Sequence, residues 1–442
     1  MDRKTFHKGG SIFELDGVPP LKEALPLALQ HVVAMIIGCV TPAIVVAGVA
    51  MENGGMTADG KIMLIQSALV IAAIATAIQL FPIGKKIGSG LPVIMGVSFS
   101  YLAALQTITS NYGVAAIFGA QLMGGLVMII VGLFVNKIAK FFPPLVSGTV
   151  VFTIGLSLYA TAVNYMAGGA SSPSYGHWKN WVVAFLTLAV VTYLNHFAKG
   201  FLKLASILIG MLVGYVIAVF LGMVDFQPIA AAGWFQLPTP MYFGIEFQPA
   251  AIASIVILHI VNSVQAIGDF SATTTGGLDR NPTNDELTGG IIGNGVASAL
   301  GAFIGGLPTA TYSQNVGIVS TTKVVNRCIL GMAAIIILLA GLLPKFASLL
   351  TTIPSCVLGG ATISVFASIT MTGIKLIVKD GLTYRNCSIV GLAVALGMGI
   401  TQASASLASF PSWVTIVFGK SPVVLATFVA VILNMILPKK QE

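Results

Sequence analysis

The chain is short of charge. Of its 442 residues only 8% are Asp, Glu, Lys or Arg, against roughly 25% in a soluble domain. That is too few ionic groups to clothe a water-soluble globule. Acidic residues are the scarcest, 14 in all, and nearly all fall in loops or tails. The four cysteines, Cys39, Cys328, Cys356 and Cys387, sit in or beside apolar stretches without metal-ligand spacing and read as small packing residues. No nucleophile elbow appears. GGIIGNG at 289–295 is only superficially a phosphate loop, because no strand precedes it and no Lys-Ser/Thr follows. An enzyme reading therefore has little support. The polar opening MDRKTFHKGGSIFELDGVPP lacks the apolar core and cleavage site of a secretory signal.

What the chain does have is hydrocarbon: 56% hydrophobic residues and a mean hydropathy of +0.95. Runs such as IMLIQSALVIAAIATAIQLF and LASILIGMLVGYVIAVFLGM have the length of about 20 residues that spans a bilayer as helix. About fourteen such segments are read, beginning near residues 24, 61, 91, 114, 144, 179, 201, 249, 286, 306, 326, 353, 386 and 421. With the amino terminus inside, all but Lys61, Lys179, Lys345 and Lys420 of the 22 Lys and Arg residues fall on the cytoplasmic side, as the positive-inside rule asks. The net charge of +8 is thus topological and does not point to a nucleic-acid partner.

Two motif pairs recur about 210 residues apart. Gly-Leu-Pro at 90–92 returns at 306–308, and Pro-x-x-Val-x-Gly at 143–148 returns at 354–359. Seven segments per half is an odd number, so the second half enters the membrane from the opposite side, the inverted repeat of many secondary transporters. Segments three and ten are interrupted. GLPVIMGVSFS and GGLPTATYSQNVG each read as a short extended piece followed by a half-length helix. Aligning the Gly-Leu-Pro motifs sets Ser98 opposite Gln314 and Phe99 opposite Asn315. Two facing half-helix N-termini would offer unpaired N–H groups and partial positive charge.

Few polar residues lie at membrane depth. Asp269 is the one carboxylate well inside an apolar segment, either a proton or cation site or a cap near the cytoplasmic end of segment eight. Gln265, four residues earlier, shares its helix face. His259 lies roughly opposite Gln265 and reads as structural. Gln30 and His31 sit in the first apolar helix, His31 as a packing residue or a functional one. Asn294 lies among small residues at spacing four and serves close helix packing or a polar network with segment eight.

QNVGIVSTTK at 314–323 resembles the signature of the nucleobase–ascorbate transporter family, Gln/Glu/Pro-Asn-x-Gly-x(4)-Thr-Arg/Lys/Gly, with Gln314, Asn315, Gly317, Thr322 and Lys323 at its fixed places. LQHVVAM at 29–35 is similar to the family's Gln-His motif, and QAIGD at 265–269 to its Glu-x-x-Gly-Asp. The resemblance implies an all-α polytopic fold of fourteen segments in two inverted sevens. Residues 1–23 would form a cytoplasmic tail. Residues 24–140 and 249–344 would make a core domain (segments 1–4 and 8–11), and 141–225 and 353–438 a gate domain (segments 5–7 and 12–14). It implies a multi-pass inner-membrane homodimer with both termini cytoplasmic, importing a purine nucleobase, xanthine or uric acid, by elevator-like displacement. Its substrate-binding set would be Gln314, Asn315, Gln265, Phe99, Ser98 and Gly38, with Asp269, His31, Gln30 and Asn294 as the coupling network. No cofactor or metal is implied beyond a coupling proton, with sodium as the alternative. A uracil permease and an anion transporter of the same fold are the other readings. Two departures bear on coupling: most purine members have Glu at the place of Gln265, and many have Asp at that of Asn294. Amides bond a purine edge but carry no proton, so either Asp269 alone carries coupling, or another cation does, or transport is uncoupled.

Overall fold

The computed structural model describes residues 11–84, 86–138, 143–170, 172–419 and 421–438; residues 1–10 of the expected tail, residues 139–142 at the expected core–gate boundary, and Lys420 lie outside them. The first half runs α1 (Leu21–Glu52), α2 (Ala58–Leu80), β1 (Met95–Val97), a 3-10 turn (Phe99–Tyr101), α3 (Leu102–Tyr112), α4 (Val114–Leu133), the short α5 (Val135–Ile138), α6 (Pro144–Ser157), α7 (Tyr159–Met166), α8 (Trp178–Phe197), the short α9 (Phe201–Leu204) and α10 (Ser206–Phe220). After the small α11 (Gln227–Ala231), the second half runs α12 (Pro249–Gly277), α13 (Asn284–Ile304), β2 (Thr309–Thr311), α14 (Ser313–Thr322), α15 (Arg327–Gly341), α16 (Pro344–Thr351), α17 (Ser355–Lys379), α18 (Tyr384–Gln402), α19 (Ser412–Gly419) and α20 (Pro422–Ile436).

Most helices begin within a turn of the positions read from the sequence, and the starts have local causes. Proline stands in the first turn of α6, α12, α16 and α20, where its missing N–H costs nothing. A capping box opens α13: Thr283 accepts from the Glu286 amide and the Glu286 carboxylate from the Thr283 amide. Asn326 caps α15 by accepting from the Cys328 and Ile329 amides. Among the described residues eight helices are long and apolar enough to cross a membrane, or nine if α15 and α16, bent by 79°, are counted as one span. The shortfall from the expected fourteen lies in the half-length α3 and α14, in the short apolar helices α10 and α20, and in α18, which is long enough but not apolar enough.

Helix packing is reciprocal between the halves. α4 packs on α12 and α13, as α15 packs on α1 and α2. α17 lies against α6, α7 and α8, and α10 against α8 as α20 against α18. Two groups result, one around α4, α12, α13 and α15, the other around α6 and α17. His31 and His259 occupy equivalent places, each ten residues after the first residue of its helix. Both are buried.

Between the halves, β1 and β2 pair antiparallel with Met95 opposite Thr311, Gly96 opposite Ala310 and Val97 opposite Thr309. Extended backbone at membrane depth must be satisfied by protein, and the bonds can be counted. The Thr76 hydroxyl bonds both the carbonyl (3.1 Å) and the amide (3.0 Å) of Met95. The Tyr312 hydroxyl donates to the Val97 carbonyl at 2.7 Å, and the Asn262 amide to the Thr309 carbonyl at 3.1 Å. Backbone bonds from Ser98 to Pro308 and from Tyr312 to Ile94 close the ribbon's ends.

The ribbon also corrects the expected register of the repeats. Two residues, Val93 and Ile94, separate the first Gly-Leu-Pro from its strand, whereas Thr309 follows the second at once. The residues that cap the half-helices are therefore Ser98 and Tyr312. Ser98 matches Tyr312 in structure rather than Gln314, and Tyr101, not Phe99, matches Asn315.

Candidate functional site

Where the two half-helices leave the ribbon, a cavity of about 280 Å³ opens between them and α17, at the small end for ligand pockets. One wall is Ser98, Phe99 and Ser100; another is Thr311, Ser313 and Gln314; Gln265 of α12 lies beside them, with Val151 of α6 and one face of α17 opposite. Four expected substrate residues, Gln314, Gln265, Phe99 and Ser98, are thus brought together. Asn315 and Gly38 are not on the lining, and neither are Asp269, His31, Gln30 and Asn294.

The floor is rich in donors. The first intrahelical bond of α14 is from the Val316 amide to the Tyr312 carbonyl at 3.1 Å, and Tyr312 gives no side-chain cap. The amides of Ser313, Gln314 and Asn315 therefore precede the helical ladder, at its partially positive end. Gln314 is exposed to the cavity. The Gln265 side-chain oxygen accepts from the Ser100 hydroxyl at 3.4 Å, and its carboxamide lies on the cavity lining. The Phe99 ring stands edge-on to Phe366 of α17, with centroids 5.4 Å apart and planes at 77°.

Behind this surface the remaining polar residues hold the ribbon and the half-helices. Asp269 is buried, and its carboxylate accepts the Ser313 hydroxyl at 2.8 Å and the Thr311 hydroxyl at short range. It anchors the start of α14, where a negative charge complements the helix dipole. The Asn315 NH2 donates to both Nδ1 (3.0 Å) and the carbonyl (3.1 Å) of His31. Nδ1 then acts as acceptor, and the ring proton sits on Nε2. At the equivalent crossing of the other repeat, Tyr101 packs against His259, with ring centroids 4.9 Å apart and planes tilted by 58°. The Asn294 oxygen accepts the Thr309 hydroxyl at 2.9 Å, which joins α13 to the strand that Asn262 of α12 also holds.

The signature residues divide by role. Gln314 faces the cavity, Asn315 clasps α1, and a Cβ at Gly317 would meet nothing within 4 Å. The Thr322 hydroxyl bonds the Ile318 carbonyl at 2.8 Å. Lys323 ends the helix in the left-handed conformation, φ 59°, and pairs with Asp279 at 2.7 Å.

The sequence reading missed Tyr312, Ser100 and Ser313. Tyr312 organises the site through its ring, which lies between two glycines. A Cβ at Gly38 would stand 2.8 Å from it, and one at Gly96 2.4 Å. Gly38 thus serves the site by admitting Tyr312. Gly38→Ala is expected to lower stability by about 1–3 kcal/mol through overpacking, because the ring cannot retreat without breaking its bond to Val97. Thermal unfolding of the purified protein in detergent measures it, and an unchanged melting temperature would contradict it.

Comparison with known proteins follows this geometry. Residues 22–406 match a family model described as a permease family. The chain is 35% identical over 417 residues to the xanthine permease of Bacillus subtilis (strain 168), covering 94% of this chain and 93% of that protein. It is 34% identical over 422 residues to the uric acid permease PucK of the same organism, covering 95% and 96%. Among solved structures, the transmembrane domain of a cyanobacterium bicarbonate transporter, BicA, superposes with a TM-score of 0.62 at 16% identity, over 92% of this chain and 97% of that one. At that identity the likeness is one of fold.

Proposed function

This chain belongs to the nucleobase–ascorbate transporter family of membrane permeases, and on that premise we propose that its central cavity binds a purine nucleobase, xanthine or uric acid, and carries it across the bilayer. As a multi-pass permease it is a transporter and not an enzyme.

The observation that carries the substrate assignment is the cavity floor. Two carboxamides, Gln314 and Gln265, and the free amides of a helix N-terminus converge on about 280 Å³ without a charged side chain on the lining. Carboxamides pair with both donors and acceptors, which suits an oxopurine edge, and Phe99 supplies an apolar face for the ring. The relatives named as xanthine and uric acid permeases favour the same class.

The finer reading has fourteen segments in two inverted sevens. Segments 1–4 and 8–11 form the moving core, and segments 5–7 and 12–14 the gate, assembled as an inner-membrane homodimer with cytoplasmic termini. Gly268, Ala272 and Thr275 are exposed beyond Gln265 toward the C-terminal end of α12, as Thr372 is on α17. In that orientation this end is cytoplasmic and the cavity opens inward. Asp269 carries the coupling proton, holding or releasing the Ser313 and Thr311 hydroxyls that shape the floor. His31, Gln30 and Asn294 support the network.

Uptake of labelled xanthine and urate into cells lacking their own permeases tests the assignment. Saturable uptake of either, competed by the other, is the expected result. Efficient uracil uptake without purine uptake would overturn it, and current carried by an inorganic anion without purine would favour the anion reading that facing helix N-termini also suit.

A further inference from the structure

The cavity's hydrogen-bonding character is split between its two walls. On the floor side, the hydroxyls of Thr311 and Ser313 give their protons to Asp269, and Ser100 gives its proton to Gln265. Left to face inward are the carboxamides of Gln265 and Gln314 and the first amides of α14, the backbone groups as donors only. On the other side stands α17, whose cavity face is Val365, Ser368, Ile369 and Thr372, a spacing of three, four and seven that places all four on one stripe. Ser368 and Thr372 are exposed on that stripe. Each has spent its single proton on its own helix: the Ser368 hydroxyl donates to the Ser364 carbonyl at 3.0 Å, and the Thr372 hydroxyl to the Ser368 carbonyl at 2.9 Å. What these side chains turn to the cavity is hydroxyl oxygen, which in this arrangement only accepts.

We propose that Ser368 and Thr372 are specificity-determining residues, accepting the ring N–H groups on the purine edge turned away from Gln314 and Gln265. This rests on the purine reading above. An oxopurine carries C=O groups that suit the donor-rich floor and ring N–H groups that suit the acceptor wall. A wall that only accepts, set opposite a floor that supplies the backbone donors, favours one orientation of the ring and rejects purines whose outer N–H is methylated, since an N-methyl group both removes the donor and fills the space of the bond. A site built to bond an N–H discriminates against the analogue without it more sharply than an apolar wall does.

The test is initial-rate uptake of xanthine, competed by each singly N-methylated xanthine, in wild type, Ser368→Ala and Thr372→Val at matched membrane amounts. Loss of each hydroxyl is expected to raise the KM for xanthine about threefold to tenfold with the maximal rate kept. It should also let in the methylxanthine that wild type excludes, and Ser368→Thr and Thr372→Ser should restore both properties. Merely structural residues would change the amount of protein or the maximal rate and leave the rank order of competitors alone. Variants with wild-type KM and wild-type exclusion would overturn the proposal while leaving the purine reading intact. A wild-type protein that takes up no purine would overturn both.

Discussion

Replacing Gln314 by leucine is expected to cut purine uptake about 100-fold, the loss that follows when two polar groups of a bound ring are left unpaired. The substitution leaves an apolar side chain one atom shorter and removes the carboxamide. Gln314 lies exposed on the cavity floor at the start of α14, so the helix should remain folded and the protein should reach the membrane in normal amount. Affinity should fall together with rate, because the carboxamide meets the substrate both when it binds and while it is carried. Labelled xanthine uptake at matched membrane amounts is the measurement, with thermal unfolding of the purified variant as the control. A loss smaller than fivefold, with stability unchanged, would remove Gln314 from the substrate's surroundings and put the weight on Gln265 and the backbone amides.

Asp269→Asn is expected to abolish uphill accumulation while leaving exchange across the membrane measurable. The carboxylate accepts one hydroxyl on each oxygen, from Thr311 and from Ser313. An asparagine presents an NH2 to one of them, and that hydroxyl has to turn and accept, so a charge-assisted bond becomes a neutral one, at a cost of about 1–2 kcal/mol. The ribbon remains held by Thr76, Asn262 and Tyr312, which is why the fold and the substrate surface should survive. Accumulation driven by an imposed proton gradient and counterflow of labelled xanthine should separate in this variant, the first lost and the second kept. Retained gradient-driven accumulation would rule Asp269 out as the coupling group, and accumulation that follows sodium instead would move the coupling to that cation. Gln265 and Asn294 sharpen the question. They are amides where many relatives are expected to carry acids, and the structure puts them to work as bonding partners of Ser100 and Thr309.

Much of the scaffold was legible because hydrocarbon thickness imposes a length and proline marks helix starts. The half-helices were legible for a related reason: a polar triplet in apolar surroundings needs partners, and a helix N-terminus next to a cavity provides them. What stayed hidden was whatever depends on contact between distant segments. The glycines at 38 and 96 look ordinary in a membrane helix and a strand, and only the Tyr312 ring between them explains both. His259 reads as a structural histidine, and it lies buried against Tyr101; that it matches His31 in the other repeat emerges only from the helix starts. The α17 hydroxyls were invisible for a different reason. Serine and threonine in apolar helices routinely bond their own backbone, and nothing local marks the two that do so on a cavity wall.

The unequal connections from Gly-Leu-Pro to the two strands show where the repeats tolerate change. Val93 and Ile94 enter the first connection without a counterpart in the second, yet the strands still pair and Gly96 still faces Tyr312. The extra length is taken up before the ladder begins, where the Val93 amide turns back onto the Leu91 carbonyl. The strand positions are the fixed points, because a side chain at 96 has no room beside the ring. The two halves differ in how they reach the ribbon; where they meet on it, the space between them sets the residue.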